Sequence, residues 1–337
     1  MPAKHSEEAL AGLIREQFAS VLSKNVPTAL LDFPDHPNVG DSAIWSGEIA
    51  ALRSLGYNIQ YVCDMNSYRE SVMRQRMSYG QLLMHGGGNY GTVWAASQFW
   101  REAVIRRCHD YRIVQLPQTL HFDDQTSLDR ARDCVRSHPD YFLMTRDHRS
   151  LAIATDQLGV RALLCPDAAL MLHGSIKRLS PTKDVLVLSR TDKEAQASGL
   201  SGFVLPNFSI SKVDWLDEDR TALTRTVQAV KQLSLSSMGS TRTLQFFQRK
   251  LFANLADARV QRGVRTLSIG RIVVTDRLHA HIICMMLGIP HVVLDNNYGK
   301  LSEFINCWHA DQPLVRLVKS VDEAQTAVTL LLKGLTE

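Results

Sequence analysis

The segment Arg271-Ile-Val-Val-Thr-Asp-Arg-Leu-His-Ala-His-Ile-Ile-Cys-Met-Met-Leu-Gly-Ile-Pro-His-Val-Val-Leu294 decides the fold of this chain. Its first residues are mainly apolar and predict a buried strand that ends at Thr275. The residues from Leu278 to Leu287 predict a helix, and the glycine and proline after them are typical of a helix end. The residues from His291 to Leu294 predict a second strand. A strand, a helix and a strand joined this closely form a parallel pair with a crossover helix.

The same alternation continues through the rest of the chain. Further strands are predicted at Thr28–Phe33, Asn58–Asp64, Gln81–His85, Arg112–Leu116, Tyr141–Thr145, Arg161–Cys165 and Asp184–Ser189. Helices are predicted at Asp41–Leu55, with Asp41 as N-cap, and at Gln98–Arg107, Leu128–His138, Ser150–Leu158 and Val321–Leu335. Right-handed crossovers then place helices on both faces of parallel sheets. We therefore expect an α/β protein with doubly wound, Rossmann-like sheets.

The polar stretch from His173 to Lys183 divides this alternation in two. A chain of 337 residues is long enough for two domains. We predict an N-terminal Rossmann-like domain over residues 1–175, a C-terminal one over residues 184–316 and a closing helix over residues 317–337. This arrangement is GT-B-like, with a cleft between the domains. The segment from Glu194 to Ser240 shows no clear pattern.

Composition narrows the class of partner. The formal net charge is +4, from 38 basic and 34 acidic residues, and no Lys/Arg block is present, so we expect no nucleic acid partner. Six cysteines without a C-x-x-C pair predict a reducing, cytoplasmic location. No apolar run is long enough to span a membrane. The amphipathic helix predicted over Glu7–Lys24 is expected to pack on the protein; the alternative is that it lies on a membrane.

The stretch His85-Gly-Gly-Gly-Asn-Tyr-Gly91 follows a predicted strand directly. Glycines let backbone N–H groups approach an anion closely, so we predict ligand contacts by Gly86, Gly87, Gly88 and Asn89. The alternative is a tight turn between strand and helix. The stretch has no GK[ST] ending, which excludes a P-loop.

The loop from Phe33 to Trp45 also follows a strand and carries polar side chains. His36 and Asn38 are predicted to meet a polar ligand such as a sugar. Asp41 is a candidate for the same site, and the alternative is that it only caps a helix.

Two arginines come directly after strands, where side chains reach the crevice of such a fold. Arg146 follows Thr145, and Asp147 is predicted to hold it through a charge-assisted hydrogen bond. Arg190 follows Ser189. The alternative for Arg146 is a surface salt bridge.

The strongest group is Asp276-Arg277-Leu278-His279, between a strand and a helix N-terminus. Free N–H groups there attract anions, and an arginine adds a bidentate grip on phosphate or carboxylate. His279 can move a proton near neutral pH. Alternate residues of a helix diverge, so His281 is expected to be a buried structural residue and no metal is predicted. Lys300, after the last predicted strand, is a candidate phosphate ligand.

Taken together, these motifs make the chain resemble the polysaccharide pyruvyl transferase family, in particular members of bacterial exopolysaccharide pathways. The resemblance rests on Asn38-Val-Gly-Asp41, His85-Gly-Gly-Gly-Asn-Tyr-Gly91, Leu116-Pro-Gln-Thr119, Thr145-Arg-Asp147, Ser189-Arg-Thr-Asp-Lys-Glu194, Thr275-Asp-Arg-Leu-His279 and Asn297-Tyr-Gly-Lys300. It implies a GT-B-like fold and functional roles for Arg277, His279 and Arg146.

The resemblance also implies an activity. Such an enzyme transfers the pyruvyl group of phosphoenolpyruvate to a sugar and forms a pyruvate ketal. Phosphoenolpyruvate is then a donor substrate, and neither a cofactor nor a metal is expected. A lipid-linked oligosaccharide acceptor would place the enzyme at the cytoplasmic face of a membrane, in peripheral contact with it. The alternatives are a GT-B glycosyltransferase that uses a nucleotide sugar and an inactive scaffold of a polysaccharide assembly.

Overall fold

The structure is a computed structural model that describes residues 6–190, 200–219, 221–295 and 299–334. It contains two parallel sheets, of 7 and 5 strands, which confirms the predicted α/β class. Helices cover the sheets, and one apolar core includes residues of both halves, such as Leu30 and Leu186. The two Rossmann-like halves therefore share a core, as in a GT-B-like fold.

The first sheet has the strand order β2-β1-β3-β5-β6-β7, and β4 pairs with β5 beyond this path. Its strands are β1 (Thr28–Leu31), β2 (Ile59–Val62), β3 (Gln81–Met84), β4 (Gly87–Gly91), β5 (Arg112–His121), β6 (Tyr141–Thr145) and β7 (Ala162–Leu164). The helices along this part are α1 (Glu7–Val21), α2 (Val39–Ser54), α3 (Glu70–Arg76), α4 (Ala95–Arg107), α5 (Gln125–Arg136) and α6 (His148–Ala152), which continues as a π-helix over Ile153–Leu158. A 3₁₀ turn over Ala168–Leu172 leads towards the second sheet.

The second sheet has the strand order β12-β11-β10-β8-β9. Its strands are β8 (Lys183–Leu188), β9 (Ile210–Val213), β10 (Gly270–Thr275), β11 (His291–Leu294) and β12 (Val315–Val318). The helices are α7 (Ala222–Ser234), α8 (Arg242–Leu267), α9 (Leu278–Leu287), α10 (Lys300–Trp308) and α11 (Val321–Gly334), with 3₁₀ turns at Leu200–Gly202 and Ser237–Ser240. The unit quoted first is thus β10, α9 and β11, as predicted.

Two strands of the first sheet differ from the prediction. The strand predicted to stop before Pro117 continues to His121 as β5. Proline is tolerated there because the register with β6 shifts between Gln115 and Gln118, and a bulge needs no ladder donor. The glycine-rich stretch, predicted as a turn or anion nest, contains the short strand β4, which pairs with β5.

The second sheet has two edge strands that the sequence did not reveal, β9 and β12. Neither is buried throughout, so neither forms a continuous apolar run. The long helix α8 was also missed. It packs on the first half of the molecule, where Gln245 accepts a hydrogen bond from the backbone N–H of Val62 and Arg249 donates to the carbonyl of Ile59. A helix that crosses between halves buries different faces along its length, which blurs its period.

The N-cap residue of α2 differs from the one that was predicted. Asn38, and not Asp41, is the N-cap, and its side-chain oxygen accepts from the N–H of Gly40 at 3.0 Å. Asp41 lies in the first helical turn, where it accepts a hydrogen bond from the amide of Asn38 at 2.8 Å. The helix begins two residues earlier than predicted, so Asp41 is left to face the cleft.

The N-terminal helix α1 packs on the protein, which confirms the first of its two interpretations. Leu10, Ile14 and Phe18 are fully buried. Among the described residues, none of the helices combines the length and the apolar character that a membrane span requires.

Candidate active site

A cleft of about 520 Å³ opens between the halves that carry the two sheets. Its walls are built by residues that follow β1, β2, β3, β6, β8, β9 and β10, at the carboxyl ends of these strands. This is where open α/β sheets bind ligands. The predicted site residues that line it are His36, Asn38, Asp41, Gly88, Asn89, Arg146, Arg190, Arg277 and His279.

Two predicted binding residues lie outside the lining of the cleft, and a third has a side chain that the structure does not describe. Gly86 and Gly87 are not among the residues that line the cleft. Lys300 begins α10, but its side chain lies outside the described residues, as do Asn297 and Tyr298. A phosphate contact by Lys300 therefore stays a prediction.

Close packing, rather than a ligand, explains Gly86. Its N–H donates to Glu48 at 2.8 Å, so this donor is already used and does not belong to an anion nest. A Cβ at this position would lie 2.6 Å from the carbonyl oxygen of Pro117. Any larger residue would push β3 away from β5.

His279 stands beside a buried ion pair. Its Nε2 lies 3.4 Å from Oδ2 of Asp167, and Nη1 of Arg146 donates to the same oxygen at 2.6 Å. Burial acts to raise the pKa of Asp167, but His279 and Arg146 outweigh it and hold that pKa well below its ordinary value. Asp167 is held in turn as the N-cap of the 3₁₀ turn, where it accepts from Ala169 N–H. Asp167 is therefore a carboxylate that orients both His279 and Arg146.

Arg146 is buried and is not a surface salt bridge. Its Nε donates to Thr119 at 2.8 Å, and its main partner is Asp167, so the prediction that Asp147 holds it directly is wrong. Asp147 caps α6 by accepting from the N–H of Ser150, and its second oxygen accepts from Thr119. The hydroxyl of Thr119 thus links the helix cap to the arginine.

The ring of His279 lies against α2, and a glycine makes this possible. A Cβ on Gly40 would lie 2.4 Å from Nδ1 and 2.7 Å from Cγ of His279. Real Cβ atoms do not approach ring atoms so closely, so the two halves of the molecule meet here only because residue 40 has no side chain.

We expect Gly40→Ala to lower the rate of the activity that the resemblance implies at least tenfold, because the ring of His279 must move by about 1 Å or more. Gly12→Ala in α1 is the matched control, since no atom lies within 4 Å of a Cβ built there. Steady-state rates of both variants, alongside their melting temperatures, check this. A Gly40→Ala enzyme of normal rate and stability would show that the position of His279 is not critical.

Arg277 is placed by two residues that sequence reasoning missed. Its Nη2 donates to Asp214 at 2.6 and 2.8 Å, and its guanidinium lies 5.7 Å from the ring centroid of Trp215. Both follow β9, the edge strand without an apolar run. Arg277 is the N-cap of α9 and makes no side-chain cap hydrogen bond, so the first N–H groups of α9 receive no capping bond from it.

Arg190 is connected to the same turn. Its backbone N–H donates to Asp276 at 3.0 Å, which fixes the end of β8 against the end of β10. Arg190, Arg277 and His279 therefore come from neighbouring strands to one side of the cleft.

A histidine and a glutamate form a second titratable pair in the cleft wall. Nδ1 of His85 lies 2.8 Å from Oε2 of Glu48, and both side chains are almost fully buried. Burial acts to lower the pKa of His85, but the charge and hydrogen bond of Glu48 outweigh it and raise that pKa. Nε2 of His85 is buried without a hydrogen-bond partner among the described residues. The pair resembles the base and orienting carboxylate of hydrolytic triads.

Asn89 presents a fixed donor. Its Oδ1 accepts from Arg101 at 2.7 Å and from Gln118 at 2.9 Å. Because the oxygen accepts both bonds, the amide NH₂ group is the part that a ligand can meet. Arg101 is itself buried and lies 4.6 Å from the ring centroid of Tyr90.

The first half also contributes carboxylates to the cleft, at Asp32, Asp35, Asp41 and Asp64. Lys231 of α7 pairs with Asp35 and, at 2.6 Å, with Asp64. Burial raises the pKa of Asp32. Burial also acts to raise the pKa of Asp41, but His36, His279, His85 and Arg146 outweigh it, so Asp41 stays ionised among them. The first half therefore supplies the four carboxylates that line the cleft together with Arg146, and the second half supplies Arg190 and Arg277.

The pair His279-x-His281 is split, as predicted. His281 is fully buried, and its ring nitrogens lie 2.8 Å from His291 and 2.7 Å from His309. Burial lowers the pKa of His281 well below the ordinary value, so the ring is neutral. In the part of the chain that the structure describes, no group of three or more His, Cys, Asp or Glu residues could hold a metal ion.

The sequence profile of the family described as "Polysaccharide pyruvyl transferase" matches residues 38–298 of this chain. The chain belongs to the polysaccharide pyruvyl transferase family. The match includes both walls of the cleft, from Asn38 to the turn that carries Arg277 and His279. It confirms the resemblance derived from the motifs.

Two relatives of this polysaccharide pyruvyl transferase are named for pyruvyl transfer. "Pyruvyl transferase 1" of Schizosaccharomyces pombe is 32% identical over 323 residues, covering 90% of this chain and 75% of that protein. "Putative pyruvyl transferase EpsO" of Bacillus subtilis is 26% identical, covering 96% of this chain and 98% of that one. A crystal structure of an uncharacterized Klebsiella pneumoniae protein matches with a TM-score of 0.59 and 15% identity, covering 92% of this chain and 99% of that one, and shows the fold alone.

Family membership establishes that the chain is an enzyme of the transferase class that acts in pyruvyl transfer to polysaccharide. The residues that sequence reasoning missed are those that hold the predicted ones in place, Asp167, Asp214 and Glu48. None carries a local signal, because each meets its partner from a distant part of the chain. Asp167 followed a predicted strand and a proline, which was the one available clue.

Proposed function

We propose that this polysaccharide pyruvyl transferase takes phosphoenolpyruvate as donor and forms a pyruvate ketal on a sugar of an exopolysaccharide or its precursor. The observation that carries the proposal is the division of the cleft. Arg190, Arg277 and a helix N-terminus lie on the side of the second half, and the four lining carboxylates lie on the side of the first half, together with Arg146. An anionic donor and a hydroxyl-rich acceptor need opposite surroundings of this kind.

The donor fits the side of the second half. Phosphoenolpyruvate carries a carboxylate and a phosphate, so it needs two separated cationic contacts. We assign the phosphate to Arg277 and the first N–H groups of α9, where the helix dipole adds favourable potential. We assign the carboxylate to Arg190, from the adjacent strand. Asp214 holds the guanidinium of Arg277 at the position that we assign to the phosphate.

The acceptor fits the side of the first half. Carboxylates and amides such as Asp32, Asn38 and Asn89 offer hydrogen bonds to sugar hydroxyls. Trp94 and Trp215 line the same cleft and offer apolar faces to a sugar ring. His85 lies on this side, after β3, where its unpartnered Nε2 can accept a hydroxyl proton.

The reaction begins with proton transfer to the donor. His279 delivers a proton to the methylene carbon of phosphoenolpyruvate, and the electrons of the double bond form the new C–H bond. The adjacent carbon becomes electrophilic. A sugar hydroxyl oxygen bonds to this carbon while His85 accepts the hydroxyl proton. Glu48 orients His85 and stabilises the imidazolium that forms.

Ketal closure follows. The bond from this carbon to the phosphate oxygen breaks, and its electron pair leaves with phosphate, stabilised by the cations of the donor side. A second sugar hydroxyl adds to the same carbon and returns a proton to His279. The proton of the second hydroxyl replaces the one that His279 gave to the new methyl group, and the proton of the first hydroxyl passes from His85 to the departing phosphate. No redox step occurs, and neither a cofactor nor a metal is needed for the balance.

We also place this reaction in the cytoplasm. The six cysteines are all free thiols, and five of them are buried. Unpaired cysteines of this number are typical of a reducing compartment.

Calorimetric titration with phosphoenolpyruvate tests the donor assignment. We expect saturable binding to the wild type and a loss of at least tenfold in affinity for Arg277→Ala, because a charge-assisted contact to phosphate is removed. Arg112→Ala is the matched control. It removes a guanidinium that is also paired with an aspartate, Asp140, at the opposite end of the first sheet.

Absence of phosphoenolpyruvate binding to the wild type, with binding of a nucleotide sugar instead, would replace this proposal by the glycosyltransferase alternative. Binding that survives unchanged in Arg277→Ala would move the donor to another part of the cleft. Binding to neither donor would favour a non-catalytic scaffold.

A further inference from the structure

An apolar surface is exposed at the turn between α7 and α8. Leu233, Met238, Phe246 and Phe247 are 47%, 53%, 50% and 53% exposed. We call these four residues and the cations around them the tip surface. The two phenylalanine rings touch edge to face, with centroids 5.8 Å apart. Exposed phenylalanines grouped in this way lie at an interaction site more often than on an ordinary surface.

The surroundings of the tip surface are strongly cationic. The guanidinium of Arg249 and the ammonium of Lys250 lie 5.9 and 5.7 Å from the ring centroid of Phe246. Arg242 is exposed at the start of α8. The segment from Thr221 to Ala256 contains no aspartate or glutamate.

Two more arginines join this cluster from the first half of the chain. Burial lowers the pKa of Arg76, and the charges of Arg242 and Arg249 lower it further. Burial likewise lowers the pKa of Arg249, and Arg53 adds to the effect. These guanidinium groups carry like charges and repel one another, and those of Arg76 and Arg249 also donate to the backbone carbonyls of Gln60 and Ile59. An anionic partner would offset this repulsion.

A second copy of the chain does not fit this surface. A symmetric contact would place the tip surface against itself and bring each cation cluster against its twin. Water alone leaves the apolar side chains unburied. The occupant must therefore be apolar and anionic together, which describes the interface of a bilayer that contains acidic lipids.

We propose that the tip surface binds the anionic face of a lipid bilayer. Phe246 and Phe247 insert at the level of the headgroups, while the exposed Arg242 and Lys250 pair with lipid phosphates. Aromatic and cationic side chains combine in this way in peripheral membrane proteins, where each basic residue near the surface adds to the attraction by acidic lipids.

The position of the tip surface links it to the cleft. Leu233 lies two residues after Lys231 in α7, and Lys231 pairs with Asp35 and Asp64 on the first-half side of the cleft. The acceptor side of the cleft is thus about one helix width from the bilayer. A lipid-linked sugar would reach it without leaving the membrane. This last step rests on the proposed function, whereas membrane binding itself does not.

Co-sedimentation with vesicles tests the proposal. We expect binding to vesicles of phosphatidylcholine and phosphatidylglycerol, weak binding to phosphatidylcholine alone, and weakening as salt is raised. Phe246→Ser with Phe247→Ser, or Arg242→Glu with Lys250→Glu, should each weaken binding tenfold or more. Soluble phosphoenolpyruvate binding should not change in either double variant, which separates this test from that of the proposed function.

Two matched controls keep the test specific. Phe99→Ser removes an equally exposed phenylalanine, 54% exposed with Arg130 over its ring, from another part of the surface. Arg265→Glu reverses an exposed charge on α8, roughly 20 Å beyond Lys250 along the helix axis. Neither should change vesicle binding. The proposal is overturned if the wild-type protein does not bind anionic vesicles, or if it binds neutral vesicles equally well. Binding of a single-stranded oligonucleotide in place of vesicles would identify the partner as nucleic acid.

Discussion

His279→Gln is expected to lower the transfer rate by roughly 100- to 10,000-fold, the range for loss of a general acid or base. Glutamine keeps a polar group next to Asp167 but cannot deliver a proton to carbon. Donor binding should change little, because the phosphate and carboxylate contacts are made by Arg277 and Arg190. Phosphate release from phosphoenolpyruvate in the presence of acceptor measures the rate, and calorimetry measures donor binding.

His173→Gln is the matched control, since His173 is an exposed histidine outside the cleft. Asp167→Asn adds a second readout. Asp167 is a positioning residue, so its loss should lower the maximal rate and leave the donor affinity nearly unchanged. If His279→Gln retains more than about a tenth of the wild-type rate at all pH values, another group protonates the donor and the mechanism fails.

Glu48→Gln is expected to have a similarly large effect on the rate, through His85. The glutamine oxygen can still accept from the N–H of Gly86, so its NH₂ group must face Nδ1 of His85. The ring then carries its proton on Nε2 and can no longer accept one from a sugar hydroxyl. We expect a loss of roughly 100-fold or more at neutral pH, as when a triad carboxylate is replaced by its amide.

The pH profile separates this mechanism from simple disruption. The pKa of His85 is raised by Glu48, so its neutral, proton-accepting form prevails only above that raised value. The wild-type rate should therefore fall as the pH falls through a value above the ordinary histidine pKa of about 6.5. In Glu48→Gln the raising influence is lost, and this limb should move to lower pH or disappear.

Glu102→Gln is the control for loss of a buried carboxylate. Glu102 is almost fully buried in α4, pairs with Arg106 and Arg130, and does not line the cleft. Its replacement should lower stability without changing the pH profile. A Glu48→Gln enzyme with the wild-type profile and rate would assign acceptor activation to another residue.

Local sequence patterns were sufficient to predict the elements that are buried on most sides. The apolar runs at Tyr141–Thr145 and Leu278–Leu287 gave element bounds identical to those observed, because elements buried on most sides consist almost wholly of apolar residues. Edge strands such as β9 are half exposed and carry no such run. The helix α8 was missed for a related reason, since it packs on the other half of the molecule.

The chemically active side chains could be predicted for a related reason. Arg146 follows β6 directly, Arg190 and Arg277 come two residues after their strands, and His279 lies in the first turn of the helix that follows β10. The carboxyl ends of parallel strands meet at one edge of a sheet. Knowing the strands was therefore enough to place these residues in one cleft. The same rule wrongly included Gly86, whose lack of a side chain serves the packing of β3 against β5.

The sequence by itself determined the parallel α/β architecture and the residues that face the cleft, because both depend on neighbours within a few positions. Only the tertiary structure decided which partners hold those residues. Asp167 meets His279 across 112 positions and Glu48 meets His85 across 37, and Gly40 leaves room for the histidine of the opposite half. Contacts of this kind depend on how whole elements pack, and hydrophobic periodicity records which face is buried but not what it is buried against.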